Sequence, residues 1–236
     1  MRLAIDTATD IASVAAGAGD RVATRSIRGA RQQSMQIVAL VQDVLTLAGV
    51  KLGQITEIVV SDGPGSFTGL RIGWAAAKGL AHEREIPLVA VPSLLGAAHA
   101  AAGDERGPVA ACYDALRGQV FGAIYAFPDG RPETLVAPGL FTLAELARVT
   151  PVRPVVAVGD GAARYADEIV SWIGRPPLPL DAVPSIARSL LALASYDSAR
   201  RPLADGMSAE PVYGRPAEAQ AKWEARHGRP LPHSSR

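Results

Sequence analysis

The residues best suited to chemistry lie in one run, Ser61-Asp62-Gly63-Pro64-Gly65-Ser66-Phe67-Thr68-Gly69-Leu70-Arg71-Ile72-Gly73. Its four glycines and one proline separate the apolar, β-branched Ile58-Val59-Val60 from a proline-free, alanine-rich stretch over 70–84. The first reads as a buried strand and the second as a helix. A tight connection into a helix leaves backbone amides free at the positive end of the helix dipole, where an anion can sit. Gly63, Gly65, Ser66, Thr68 and Gly69, with Asp6 from the opening strand, are the candidate nucleotide or anion site. No tightly bound cofactor is expected, and ATP is the nucleotide to consider.

The stricter phosphate motifs fail. A P-loop needs Gly-Lys-Ser/Thr, whereas Gly69 is followed by Leu70 and Pro64 stands where its first glycine belongs. The dinucleotide fingerprint fits Gly63 and Gly65 but meets Thr68 at its third glycine. A nucleophile elbow around Ser66 fails at Pro64 and Thr68. The competing reading is that the loop shapes the chain: Ser66 or Thr68 caps the helix and the glycines permit close packing.

Two carboxylates end apolar runs, Asp6 after Leu3-Ala4-Ile5 and Asp114 after 109–113. They could face one another across a metal, or Asp6 and Thr7 could simply bond nearby amides while Arg117 neutralises Asp114. None of His82, His99, His227 and His233 pair four apart on a helix, so no catalytic metal is expected. Cys112 sits inside an apolar strand and reads as structural, and Ser34 and Ser66 lack an identifiable base.

The elements that position these groups follow from hydrophobic period. Strands are expected at 2–6, 12–16 and 22–27, a helix over 33–48 closed by Gly49, a strand at 57–60, the loop, the helix from 70, a strand at 88–91 and a helix over 93–102. Three hairpin-connected strands followed by alternating crossovers give a mixed sheet flanked by helices. This is an α/β fold of the actin-like, ribonuclease-H-like (ASKHA) kind. The polar run 103–108 then separates a first lobe, 1–103, from a reduced and divergent second lobe, 104–215. In that lobe strands are expected at 109–113, 120–126, 134–137 and 155–158, and helices over 143–149, 161–173 and 185–196. Residues 216–236 are polar, Arg-containing and expected to form a mobile tail, and its Arg226, Arg229 and Arg236 are a weak candidate for RNA contact.

The 236 residues carry 48% apolar and 20% charged side chains and a net charge of +1, ordinary for a globular protein and without a dominant nucleic-acid footprint. One cysteine excludes an internal disulfide framework and fits a reducing compartment. With no signal-peptide pattern and no apolar run long enough for a bilayer, a cytoplasmic protein is expected.

Packing residues carry a further signal. The helix over 70–84 sets Gly73, Ala76, Ala77 and Gly79 among Leu70, Ile72, Trp74 and Leu80. The helix over 33–48 has Met35, Ile37, Val38, Leu40, Val41, Val44, Leu45, Leu47 and Ala48 as apolar positions, too wide for one sheet face. Val38, Val41, Leu45, Trp74 and Ala77 are the candidate partner interface, unless the two lobes cover both helices themselves.

The loop from Gly63 to Gly73 also resembles the signature G-P-G-S-F-T-G-[LV]-R-I-G of the TsaB (YeaZ) family. Leu3-Ala4-Ile5-Asp6-Thr7-Ala8-Thr9 is similar to that family's L-A-I-D-T-[AS]-T start, and Glu210-Pro211-Val212-Tyr213 to its E-P-x-Y ending. Asp114-Ala115 with Gly118, Val120 and Phe121 resembles D-A-R-x-G-E-V-Y, though Leu116 and Gln119 depart from it. The resemblance implies a two-lobed protein without catalysis of its own. It would serve in tRNA N6-threonylcarbamoyladenosine synthesis by binding the transferase TsaD, together with the ATPase TsaE, through its first-lobe helices. It implies self-association through the same face in isolation, and only an indirect connection to tRNA. TsaD relatives hold a metal with H-x-x-x-H on the first-lobe helix, where this chain reads Gln32-Gln33-Ser34-Met35-Gln36, so a metallopeptidase role is disfavoured. The alternative outside this reading is an actin-like ATPase or phosphotransferase using Asp6, Asp114 and the glycine loop.

Overall fold

The computed structural model describes residues 1–19, 21–103, 107–203, 206–215 and 226–228, and for residues 30–35 the backbone alone. The chain opens as a meander of β1 (Arg2–Asp6), β2 (Ile11–Ala18) and β3 (Arg21–Arg28), each antiparallel to the next. Helix α1 (Ala30–Ala48) ends at Gly49, whose left-handed φ of 65° no β-carbon opposes. Then β4 (Glu57–Ser61) joins β1 in parallel, α2 (Phe67–Arg84) crosses over, β5 (Leu88–Val91) joins β4 in parallel, and α3 (Ser93–Ala102) follows.

The second half repeats the opening of the first. Strands β6 (Val109–Asp114), β7 (Val120–Ala126) and β8 (Glu133–Phe141) form an antiparallel meander, and after α4 (Leu143–Val149) the strand β9 (Val156–Val158) pairs parallel with β6. The order β8-β7-β6-β9 reproduces β3-β2-β1-β4, with no counterpart of β5 among the described residues. This is the two-lobed, actin-like α/β arrangement with a reduced second lobe that the sequence predicts. Helices α5 (Asp160–Arg164), α6 (Ala166–Ile173) and α7 (Ile186–Leu193) and the two-residue β10 (Arg201–Pro202) complete it.

Side-chain alternation along the strands builds the layers. Leu3 and Ile5 of β1 pack with Val60, Ile37, Val44 and Trp74 under α1 and α2. The opposite face presents Ala4, Ala15 and Val59 to α7. Helix α3 packs on α7 and meets the second sheet, with its Tyr113, Phe121 and Val158, so one core runs through both sheets. A third cluster, Cys112, Ile124, Leu146 and Ile169, lies beneath α4 and α6.

Where structure and expectation differ, the reasons are local or long-range contacts. Helix α2 begins at Phe67, three residues early, because the Ser66 side chain caps it by accepting from the Gly69 amide at 3.2 Å. The helix expected over 161–173 is broken at Tyr165, whose ψ of 46° is not helical. The strand expected at 134–137 runs from 133 to 141. Strand β10 has no periodic signature: its two residues pair antiparallel with the edge of β5, where a proline is tolerated. The division expected at 103/104 has its turn partly outside the described residues, and it is crossed afterwards, since α7 packs on the first sheet and β10 joins it. The mobile tail expected at 216–236 falls outside them apart from the exposed 226–228.

Candidate functional site

The loop between β4 and α2 is filled by its own chain. The Ser66 amide donates to the Ala8 carbonyl at 2.7 Å, and the Gly63 amide to Ser93 Oγ at 2.8 Å. From far along the chain, the Val212 amide donates to the Asp62 carbonyl at 2.7 Å. A β-carbon on Gly63 would strike the Val212 carbonyl, one on Gly65 the Ala8 carbonyl, and one on Gly69 the Thr7 carbonyl. The glycines therefore let three backbone segments touch. Pro64 and Gly214 also meet there, and Thr68 is exposed on the first turn of α2. Of the residues expected to hold an anion or nucleotide, Gly63, Ser66 and Gly69 thus bond their amides within the chain, to Ser93, Ala8 and the Ser66 cap, and residues 212–214 lie against Gly63 and Pro64.

Asp62, nearly buried beside this loop, is held by Arg201, whose Nε donates to Oδ2 at 2.9 Å while the same guanidinium lies 5.8 Å from the Trp74 ring centre. Replacing Arg201 with alanine leaves that carboxylate buried without a counter-ion. A loss of about 1–3 kcal/mol is expected in urea denaturation, below the full cost of breaking a buried pair because Arg201 is partly exposed.

Between the sheets lies a different group of polar residues. Asp6 is fully buried at the end of β1; Oδ1 accepts from the Ala8 amide at 3.3 Å and Oδ2 has no partner among the described residues. Burial raises its carboxyl to about 6, against the opposing bonds from Ser61 and Ala8. Asp114, at the matching end of β6, is paired with Arg164 at 2.9 Å and not with the neighbouring Arg117. Asp160 accepts from the Asp114 amide at 3.0 Å, and its carboxyl is pushed up mainly by burial. Burial, with Asp160 adding to it, pushes the Cys112 thiol up to about 12, which leaves no thiolate for nucleophilic work. Tyr113 is raised by burial and then by Asp6 and Asp160, and its hydroxyl donates to the Ser93 carbonyl at 3.3 Å. Among the described residues no group of three or more His, Cys, Asp or Glu is placed to hold a metal ion. Nor is any helix among them long and apolar enough to cross a membrane.

Comparison with known proteins is decisive on kinship. The family model TsaD, tRNA N6-adenosine threonylcarbamoyltransferase, matches residues 28–161. The Bacillus subtilis (strain 168) tRNA threonylcarbamoyladenosine biosynthesis protein TsaB is 32% identical over 228 residues, which cover 94% of this chain and 96% of that protein. The chain belongs to the TsaB (YeaZ) family. The Escherichia coli (strain K12) TsaB is 40% identical over 126 residues, 52% of this chain, and the match spans about half of that relative's own length, 54%. YeaZ from Pseudomonas aeruginosa superposes with a TM-score of 0.73 at 28% identity, covering 90% of this chain and 98% of that one. A Pseudomonas aeruginosa crystal structure described as similar to the peptidase YeaZ gives the same TM-score, 0.73, over 91% of this chain and 99% of that one.

In this TsaB-family chain the two front helices do not expose what their composition suggests. Of the five candidate interface residues, Val41, Leu45, Trp74 and Ala77 are buried inside the chain and only Val38, 63% exposed, faces outward. The correction has a plain cause. Ile37, Val41, Val44 and Leu45 on α1, and Trp74, Ala77 and Ala81 on α2, form the stripes that cover the first sheet. The outward remainder mixes Val38, Ala39 and Leu47 with Gln42, Asp43 and Thr46 on α1, and Ala75 and Gly79 with Arg71 and His82 on α2, two helices in mutual contact. Gly79 has nothing near its missing β-carbon, so its smallness serves no contact inside the chain. Met35 and Ser34, named from the sequence, lie where side chains are outside the described residues. Sequence reasoning missed Ser13 and Ser185, which join Asp6 around a cavity; β2 is buried almost throughout and carries no alternation that would single out the first.

Proposed function

We propose that this chain acts in tRNA threonylcarbamoyladenosine biosynthesis as a non-catalytic subunit. It binds a TsaD homologue, and through that assembly a TsaE homologue, with the cytoplasm as its compartment and tRNA reached indirectly. The observation that carries the reading is the set of exposed apolar positions on two contacting helices, Val38, Ala39 and Leu47 of α1 with Ala75 and Gly79 of α2. The matching family model is that of TsaD itself. A tRNA N6-adenosine threonylcarbamoyltransferase of Dehalococcoides mccartyi is 41% identical over 66 residues, 28% of this chain and 20% of that protein. The partner then brings an equivalent helix pair, and two such pairs can pack as four helices whose small residues let the backbones approach. In isolation the same face closes a homodimer. Against the ATPase reading, residues 212–214 lie against the glycine loop and Asp114 is paired with Arg164.

Co-purification with the TsaD homologue tests this. Val38→Glu places a charge at the centre of the contact while altering a side chain already in water, so the monomer stays folded. Binding is expected to weaken by about 30-fold or more, the equivalent of ~2 kcal/mol at a central apolar position. Unchanged affinity rejects this face.

A further inference from the structure

A cavity of about 270 Å³ opens between the ends of β1 to β3 and the segment 180–186. Its polar lining is made by Asp6, Ser13, Ser26, Arg28, Asp181 and Ser185. Two buried oxygens there, Asp6 Oδ2 and Ser185 Oγ, have no hydrogen-bond partner among the described residues. Buried oxygens of this kind are costly unless something satisfies them. Ser13 is occupied, its Oγ accepting from the Ala187 amide at 3.1 Å. Arg28 is the one cation in the lining, and its guanidinium is turned onto Asp181 at 3.0 Å. The adjoining cavity shares Ile11, Arg28, Leu180 and Asp181 and adds two more carboxylates, Asp10 and Asp160. The field in the cleft is therefore negative, and a phosphate would meet carboxylates with no free guanidinium to receive it. The remaining walls, Ile11, Ile27, Leu180, Val183 and Ile186, are apolar. Those apolar walls favour a cation that carries an alkyl group over a bare ion.

We infer that this cavity binds a small organic primary ammonium, whose N–H groups donate to Asp6 Oδ2 and Ser185 Oγ while its short alkyl part lies on the apolar walls. The assignment does not rest on the proposed partner role. Burial sets the Asp6 carboxyl at about 6, so above neutral pH it is ionised and a cation is the complement it lacks. Tyr113, which feels both Asp6 and Asp160, supplies no positive charge.

The test is isothermal titration of the full chain at pH 8 with four probes at matched ionic strength: n-butylammonium, tetramethylammonium, potassium and 1-butanol. Saturable binding is expected for n-butylammonium alone, since the others lack the N–H donor, the alkyl group or the charge. Asp6→Asn is expected to abolish that binding and Ser185→Ala to weaken it several-fold, each in a chain whose circular dichroism is unchanged. Absence of n-butylammonium binding, equal binding of tetramethylammonium or potassium, or retention of binding in Asp6→Asn overturns the assignment.

Discussion

Trp74→Arg is expected to yield an unfolded chain, not a folded monomer with a damaged interface. Trp74 is 2% exposed and packs among Leu3, Ile5, Val60 and Leu88 of the first sheet. Its Nε1 donates to the Ser61 carbonyl at 3.0 Å, tying α2 to the end of β4. Removing a buried tryptophan costs about 3–5 kcal/mol through lost transfer energy and the void left behind. An arginine there also brings a charge into a site already flanked by Arg201 and Lys78, whose charged groups lie 5.8 and 5.6 Å from the ring centre. Since domains hold only about 5–15 kcal/mol in total, the sum removes most or all of the margin. Circular dichroism of Trp74→Arg should show lost cooperative melting. Trp74→Phe, which forfeits the Nε1 bond and some area, should fold with a loss of about 1–2 kcal/mol. A stable Trp74→Arg monomer contradicts the core described here. Set against Val38→Glu, the pair separates folding from binding on neighbouring helices.

Asp6→Asn is expected to stabilise the chain above neutral pH. The carboxyl stands at about 6 in the folded state against 3.8 as its ordinary value, because burial disfavours the charged form. The folded state thus holds its proton more tightly than the unfolded state. The associated stability is fully present below pH ~4 and is lost as the pH rises through ~6. Two units correspond to about 3 kcal/mol. Asn keeps an oxygen to accept from the Ala8 amide and carries no charge at any pH. Urea denaturation at pH 8 should show Asp6→Asn more stable by up to about 3 kcal/mol, with the advantage vanishing near pH 4. Asp160 is shifted in the same direction, so the difference between wild type and variant, and not the wild-type profile alone, isolates Asp6. A variant less stable than wild type at pH 8 shows instead that the Asp6 charge has a counter-ion in solution.

The sequence by itself determined the order of strands and helices as far as β9, the mixed character of the sheets and the family. Each rests on information a few residues apart: the fully apolar Leu3-Ala4-Ile5, the left-handed Gly49, the Gly63 to Gly73 signature. It also showed which helices carry apolar stripes. It did not show what those stripes face, because a period marks a buried side without naming the neighbour. Trp74, Ala77, Val41 and Leu45 therefore read as well for a partner as for the sheet they cover. The glycine loop posed the same ambiguity. Glycines that admit a phosphate and glycines that admit a carbonyl look alike until Val212 and Thr7 are in place. The residues deciding that question are remote: Arg201 reaches Asp62 across 139 positions, and Ala187 reaches Ser13 across 174. Only the tertiary structure brings such groups within hydrogen-bond range, and in doing so it decides which buried oxygens are satisfied and which, like Asp6 Oδ2, are left facing a cavity.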